Sequence, residues 1–83
     1  MDIYDAADVV QKNIGEPIAL IQVDHYFYAV AYRREVEESR HVDVAYSTHR
    51  VSEFYCESGH YDMSLRDAYE DLMDRVGLNV PTY

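Results

Sequence analysis

Four carboxylates near the end of the chain are the residues whose type and spacing best suit binding. They lie within the segment SLRDAYEDLMDRVG from Ser64 to Gly77. Because a helix turns about 100° per residue, the segment predicts a helix with acids on one side and apolar residues on the other. No lysine lies among the acids, and like charges four residues apart repel each other. We therefore predict that the helix docks by its apolar side and turns all four acids outward toward a basic partner. A plain solvated face is the alternative. The acids are Asp67, Glu70, Asp71 and Asp74, and the apolar residues are Leu65, Ala68, Tyr69, Leu72 and Val76.

A second group of acids lies in the middle of the chain and could assist such binding. These acids alternate with arginines, so the segment is electrically mixed. A surface that follows a nucleic-acid backbone would show lysine and arginine without this neutralisation. The acids are Glu35, Glu37 and Glu38, and the arginines are Arg33, Arg34 and Arg40.

The charge of the whole chain favours the same class of partner. Its 83 residues carry 16 acidic and 7 basic side chains, giving a formal net charge of −9. Such a field repels phosphate backbones and anionic lipid, so we predict a basic protein surface as partner and no direct contact with nucleic acid or membrane. With one cysteine, no basic leader and no apolar run near the ~18 residues of a membrane span, the chain is predicted to be cytoplasmic.

Histidine and cysteine could bind a metal or act as a nucleophilic pair. Zinc needs four convergent ligands, and Cys56 with His60 is the one closely spaced pair. His41 and His49 would stand about 26 Å apart on one continuous strand. A Cys-His pair would also need an orienting third group and a pocket. We therefore predict no metal, no cofactor and no enzymatic activity. Exposed strand or loop positions account for the histidines, which are His25, His41, His49 and His60.

The spacing of apolar residues predicts one α+β domain over residues 1–83. A first helix is predicted over about Ile3–Ile14, capped by Asp2 with Asp5, and the final helix is capped by Ser64 with Asp67 and closed by Gly77. Between the helices, alternation and β-branched residues predict three or four antiparallel strands in a meander. They are IALIQV from Ile18, YFYAVAY continuing toward Val36 after a turn at Asp24 and His25, and Val42–Thr48. A fourth strand over Val51–Cys56 would follow a turn near Thr48–Arg50, with Glu57, Ser58 and Gly59 ending the sheet, although this segment could instead continue the third strand.

The second predicted strand has two different faces. Small residues let a helix approach closely, so we place both helices over Phe27, Ala29 and Ala31. The opposite face would then be open and rich in tyrosine, which suits protein interfaces. This open face would serve a partner or a homodimer through Tyr28, Tyr32 and Tyr46, or these residues would be ordinary packing.

Two family resemblances concern the order of elements and the segment that leads into the final helix. Helix, sheet, helix is similar to the double-stranded-RNA-binding domain, but the final helix is acidic where that family is basic, so RNA binding does not carry over. The segment CESGHYDMSLRDAYEDLM resembles the strand-to-helix passage of HicB antitoxins, which implies an antitoxin-like regulator.

In general character, the chain resembles small acidic phage-encoded inhibitors of bacterial defence, the anti-CRISPR and anti-restriction class. The resemblance rests on its size, its acidity, its nine tyrosines and its lack of catalytic motifs. It implies a protein of the host-cell cytoplasm that covers a basic nucleic-acid-binding surface with carboxylates in place of phosphates. A non-enzymatic inhibitor of this kind is the leading hypothesis, and a homodimeric adaptor is the alternative.

Overall fold

The chain folds as a helix, four strands and a second helix in the computed structural model, which describes residues 1–35 and 45–77. Each strand pairs antiparallel with the next one along the chain, so the predicted α+β meander is confirmed. The elements are α1 Ile3–Asn13, β1 Glu16–Val23, β2 Tyr26–Tyr32, β3 Tyr46–Val51, β4 Cys56–Met63 and α2 Leu65–Val76.

Local capping signals define the ends of both helices. The carboxylate of Asp2 accepts from the Asp5 amide at 2.8 Å, and the carboxylate of Asp5 accepts from the Asp2 amide at 3.2 Å. Ser64 accepts from the Asp67 amide at 3.1 Å, and Gly77 closes α2 in the left-handed conformation. These bonds satisfy backbone groups that have no partner within a helix. The predicted helix limits are confirmed to within one residue.

The strand predictions are confirmed in number and wrong in several limits. β2 ends at Tyr32 instead of continuing toward Val36, and the turn before β4 falls at 52–55 instead of near Thr48. β4 begins at Cys56 and passes through the segment that was expected to end the sheet. It does so with Ser58 at a φ of 53° and with two register shifts against β3, so turn-like residues are absorbed as irregularities of the strand. The predicted positions 36–44, among them Val42, Glu37, Glu38 and His41, lie outside the described residues.

The two helices lie on opposite faces of the sheet. Phe27, Ala29 and Ala31 pack with α1 in one buried cluster, whereas Val30 packs with α2 in another. Because successive strand residues point to opposite faces, this alternation puts one helix on each side of β2. The expectation that both helices share one face is therefore wrong for α2. The buried helix residues are Ala6, Val9 and Val10 in α1 and Ala68 and Leu72 in α2.

The junction between α1 and β1 depends on the absence of a side chain at Gly15. A Cβ at this position would overlap the backbone carbonyl of Tyr32 on the neighbouring strand. Because a backbone group cannot rotate away as a side chain can, we expect Gly15→Ala to lower the free energy of unfolding by about 1–2 kcal/mol. Urea denaturation followed by circular dichroism would measure the change, and an unchanged midpoint would contradict the close approach.

Candidate functional site

Helix α2 docks on the sheet by a face that differs from the predicted one. Ala68 and Leu72 are fully buried, but Leu65 and Tyr69 are each 38% exposed. The Arg75 side chain, in contrast, is only 10% exposed. The helix is therefore rotated about its axis so that its acidic edge partly enters the interface with the sheet, while Leu65 and Tyr69 move to the rim.

Asp71 occupies that interface at the centre of a polar cluster. Its Oδ2 accepts hydrogen bonds from the Thr48 hydroxyl of β3 and from Nε of Arg75 at 3.1 Å. It also lies 2.8 Å from Nδ1 of His60 on β4. Arg75 in turn donates to the Ser58 carbonyl, so the cluster ties α2 to two strands. The side chain of Asp71 is 25% exposed.

The electrostatics of the cluster favour an ionised Asp71. Burial by itself raises the pKa of this carboxyl, but the hydrogen bonds from Thr48, His60 and Arg75 together hold the pKa below its usual value. Asp71 is thus engaged within the fold, and the expectation that all four acids of the helix point outward is wrong for it.

The outer surface of α2 retains the other three predicted acids, Asp67, Glu70 and Asp74, all exposed. Glu70 lies 3.5 Å from Arg66, one turn earlier, in an exposed ion pair of the kind that contributes little to stability. Tyr69 and Met73 stand beside the acids and line a shallow groove of about 330 Å³ with Glu70 and Asp74. We call Asp67, Glu70, Asp74, Tyr69 and Met73 the α2 outer surface.

Two of these residues were missed in the sequence. Tyr69 was assigned to the buried face, and Met73 was assigned to neither face. Residues four apart are neighbours on a helix. The spacing of Tyr69 and Met73 could therefore have predicted that they form a row beside Glu70 and Asp74.

The loop acids are not part of the α2 outer surface in the described residues. Glu35 lies 3.7 Å from Nε of Arg33 and lines a different groove with Gln11, Gly15 and Tyr32, at the junction of α1 and β1. The other two loop acids, Glu37 and Glu38, lie outside the described residues.

The tyrosine face that was expected to be open is covered by α2. Tyr28 and Tyr46 are half-buried and pack against the cluster that contains Ala68 and Leu72. Tyr32 and Tyr46 contact each other, with ring centroids 5.4 Å apart. These residues are therefore part of the second core, and the homodimer hypothesis loses the open surface on which it depended.

The expectation of exposed histidines is wrong for His49, which is fully buried in β3. Its Nε2 lies 2.8 Å from the Ser47 hydroxyl, and its ring meets Tyr61 edge-on. Its Nδ1 has no hydrogen-bond partner among residues 1–35 and 45–77. Burial, followed by the positive charges of Arg75 and Arg33, lowers the pKa of His49 from 6.5 to about 4. Ser47 and His49 are both inaccessible to solvent, so this polar pair lies inside the fold.

Metal ligands do not converge in the part of the chain that the structure describes: no group of three or more His, Cys, Asp or Glu side chains is placed to share an ion. Cys56 is half-buried, and burial raises the pKa of its thiol. Over the same residues, neither helix is long and apolar enough to cross a membrane.

Comparisons with protein-family models, with curated proteins and with solved structures each found no match.

Proposed function

We propose that this chain is a non-enzymatic protein-binding module that engages a basic surface of its partner through the α2 outer surface. The observation that carries the proposal is the juxtaposition of Glu70 and Asp74 with Tyr69 and Met73 along one exposed groove. The helix that presents them is held on the sheet by Leu72 and by the Asp71 cluster, so the backbone beneath the surface is positioned before binding. Preorganisation of this kind reduces the entropy lost on association.

The chemistry of the groove suits arginine and lysine. Carboxylates accept paired hydrogen bonds from the planar guanidinium group, as phosphates do. An aromatic ring beside them attracts the same cations, and a methionine adapts to their aliphatic stems. The net charge of −9 adds long-range attraction toward a positive partner.

This chemistry agrees with the class of small acidic phage-encoded inhibitors of bacterial defence. In this proposal, the α2 outer surface covers a nucleic-acid-binding site and substitutes carboxylates for phosphates. The action takes place where the defence complex works, in the cytoplasm of the host cell.

Charge removal on α2 tests the proposal. We expect the triple variant Asp67→Asn, Glu70→Gln and Asp74→Asn to lose at least about tenfold in the amount of basic protein captured from a bacterial lysate at low salt. The same capture by the unchanged chain should weaken as salt rises, because exposed charges are screened. The captured protein should also lose nucleic-acid binding when the chain is added.

A matched control removes three exposed acids elsewhere, through Glu16→Gln, Asp24→Asn and Glu35→Gln. It changes the net charge by the same amount and leaves α2 intact, so it should bind its partner nearly as well as the unchanged chain. Equal loss in both triple variants would assign binding to net charge alone and contradict the proposed surface.

A further inference from the structure

A second surface lies on the other side of the sheet, between α1 and the turn that joins β3 to β4. The two elements enclose a groove of about 520 Å³. Met1, Val9 and Phe54 contribute apolar walls, and Asp5, Asp8 and Glu53 contribute three carboxylates beside the amine of Lys12. The groove therefore combines apolar walls with an acidic rim.

The turn that carries Phe54 is fixed to the helix. The side-chain amide of Asn13 donates through Nδ2 to the Phe54 carbonyl at 3.3 Å and to the Val9 carbonyl at 2.8 Å, which bridges the turn and α1. The turn is also closed internally, because both the backbone amide and the hydroxyl of Ser52 donate to the Tyr55 carbonyl at 2.9 Å. The turn backbone is thus held in place.

Phe54 nevertheless leaves 79% of its surface in solvent. A phenylalanine this exposed contributes little to the core, and aromatic side chains at the edge of a groove are typical anchors of protein interfaces. Three carboxylates lie beside Phe54, so the groove favours a cationic occupant. An acidic or uncharged apolar segment would leave those charges unmatched.

We propose that this groove binds a cationic segment of a partner protein that inserts one apolar side chain between Val9 and Phe54. Lysine or arginine residues on either side of that apolar residue meet Asp5, Asp8 and Glu53. The site goes beyond the proposed function because α1 and α2 lie on opposite faces of the sheet. The two surfaces can therefore be occupied at the same time, and each can be tested while the other stays intact.

A defined peptide tests the groove. The probe is a blocked heptapeptide, Arg-Lys-Ser-Leu-Ser-Lys-Arg, titrated at low salt into the ¹⁵N-labelled full chain. We expect amide shifts to concentrate in α1 and the turn, and the double variant Asp8→Asn and Phe54→Ser to weaken binding at least about tenfold. Both positions are exposed, so the variant should keep its fold, which its amide spectrum verifies directly.

Two matched comparisons make the result specific. A peptide with serine in place of leucine should bind at least about tenfold more weakly, because the apolar contact is lost. The variant Glu16→Gln, at an exposed position of β1 outside both surfaces, should bind the original peptide as the unchanged chain does. Unperturbed groove amides, equal affinity of the Asp8 and Phe54 double variant, or self-association through the groove would each overturn the proposal. None of these outcomes bears on the α2 outer surface.

Discussion

Replacing Asp71 with alanine is expected to lower the free energy of unfolding by about 2–4 kcal/mol, more than any other single acid on α2. The substitution leaves the guanidinium of Arg75, whose side chain is only 10% exposed, without its carboxylate. It also removes the acceptor of the buried Thr48 hydroxyl. An unpaired buried charge and an unsatisfied buried hydroxyl each cost free energy. Urea denaturation monitored by circular dichroism measures the loss.

The matched control is Glu70→Ala on the same helix. Its side chain is 63% exposed and pairs with Arg66, so the expected loss stays below about 0.5 kcal/mol. The variant Asp71→Asn should fall between the two, because its amide oxygen still accepts from Thr48 while its charge is gone. Equal stability of the two alanine variants would show that the Asp71 cluster does not hold α2 to the sheet.

The elements with local signals could be predicted from the sequence. Asp2 with Asp5, Ser64 and Gly77 mark helix ends through contacts within three residues, so no knowledge of the fold is needed to recognise them. The turn at Asp24 follows in the same way, since its left-handed conformation is tolerated by a short polar side chain.

The sequence also allowed the correct prediction that a helix covers the tyrosine face of β2. Tyr28 and Val30 alternate with Phe27 and Ala29, so both sides of β2 are apolar. A strand that is apolar on both sides is typical of one buried on both faces. Placing both helices over the small residues on one side of β2 led to the wrong expectation that the tyrosine side is open.

The polar contacts between strands and α2 could not be predicted from local patterns. Thr48 and His49 belong to a run of polar residues that is typical of a solvent-facing strand, yet both are fully buried. The buried hydroxyl of Thr48 is satisfied by Asp71, 23 positions later, which accepts its hydrogen bond. Such pairings depend on the rotation of α2 about its axis, which the apolar pattern alone placed incorrectly.

Acid is expected to destabilise the fold through His49. Its pKa is about 4 in the folded chain against 6.5 when unperturbed, so the unfolded chain binds the proton more readily. The contribution of the neutral His49 ring to the free energy of unfolding is fully present above pH 6.5. It decreases as the pH falls below 6.5, and the decrease ends near pH 4. At 1.36 kcal/mol per pH unit, the loss over this window is about 3 kcal/mol. Urea titrations at several pH values measure it.

Two measurements isolate His49 from the other groups that titrate in acid. The variant His49→Gln should remove most of the slope between pH 6.5 and 4, whereas His25→Gln, at an exposed turn position, should leave it unchanged. In the unchanged chain, the ring carbon resonances of His49 should show a neutral imidazole down to about pH 4. Because the pKa of Asp71 is held below its usual value of 3.8, most of its own contribution is lost at pH values below this window. A His49 ring that titrates near pH 6.5 in the folded chain would contradict its burial beside Ser47 and Tyr61.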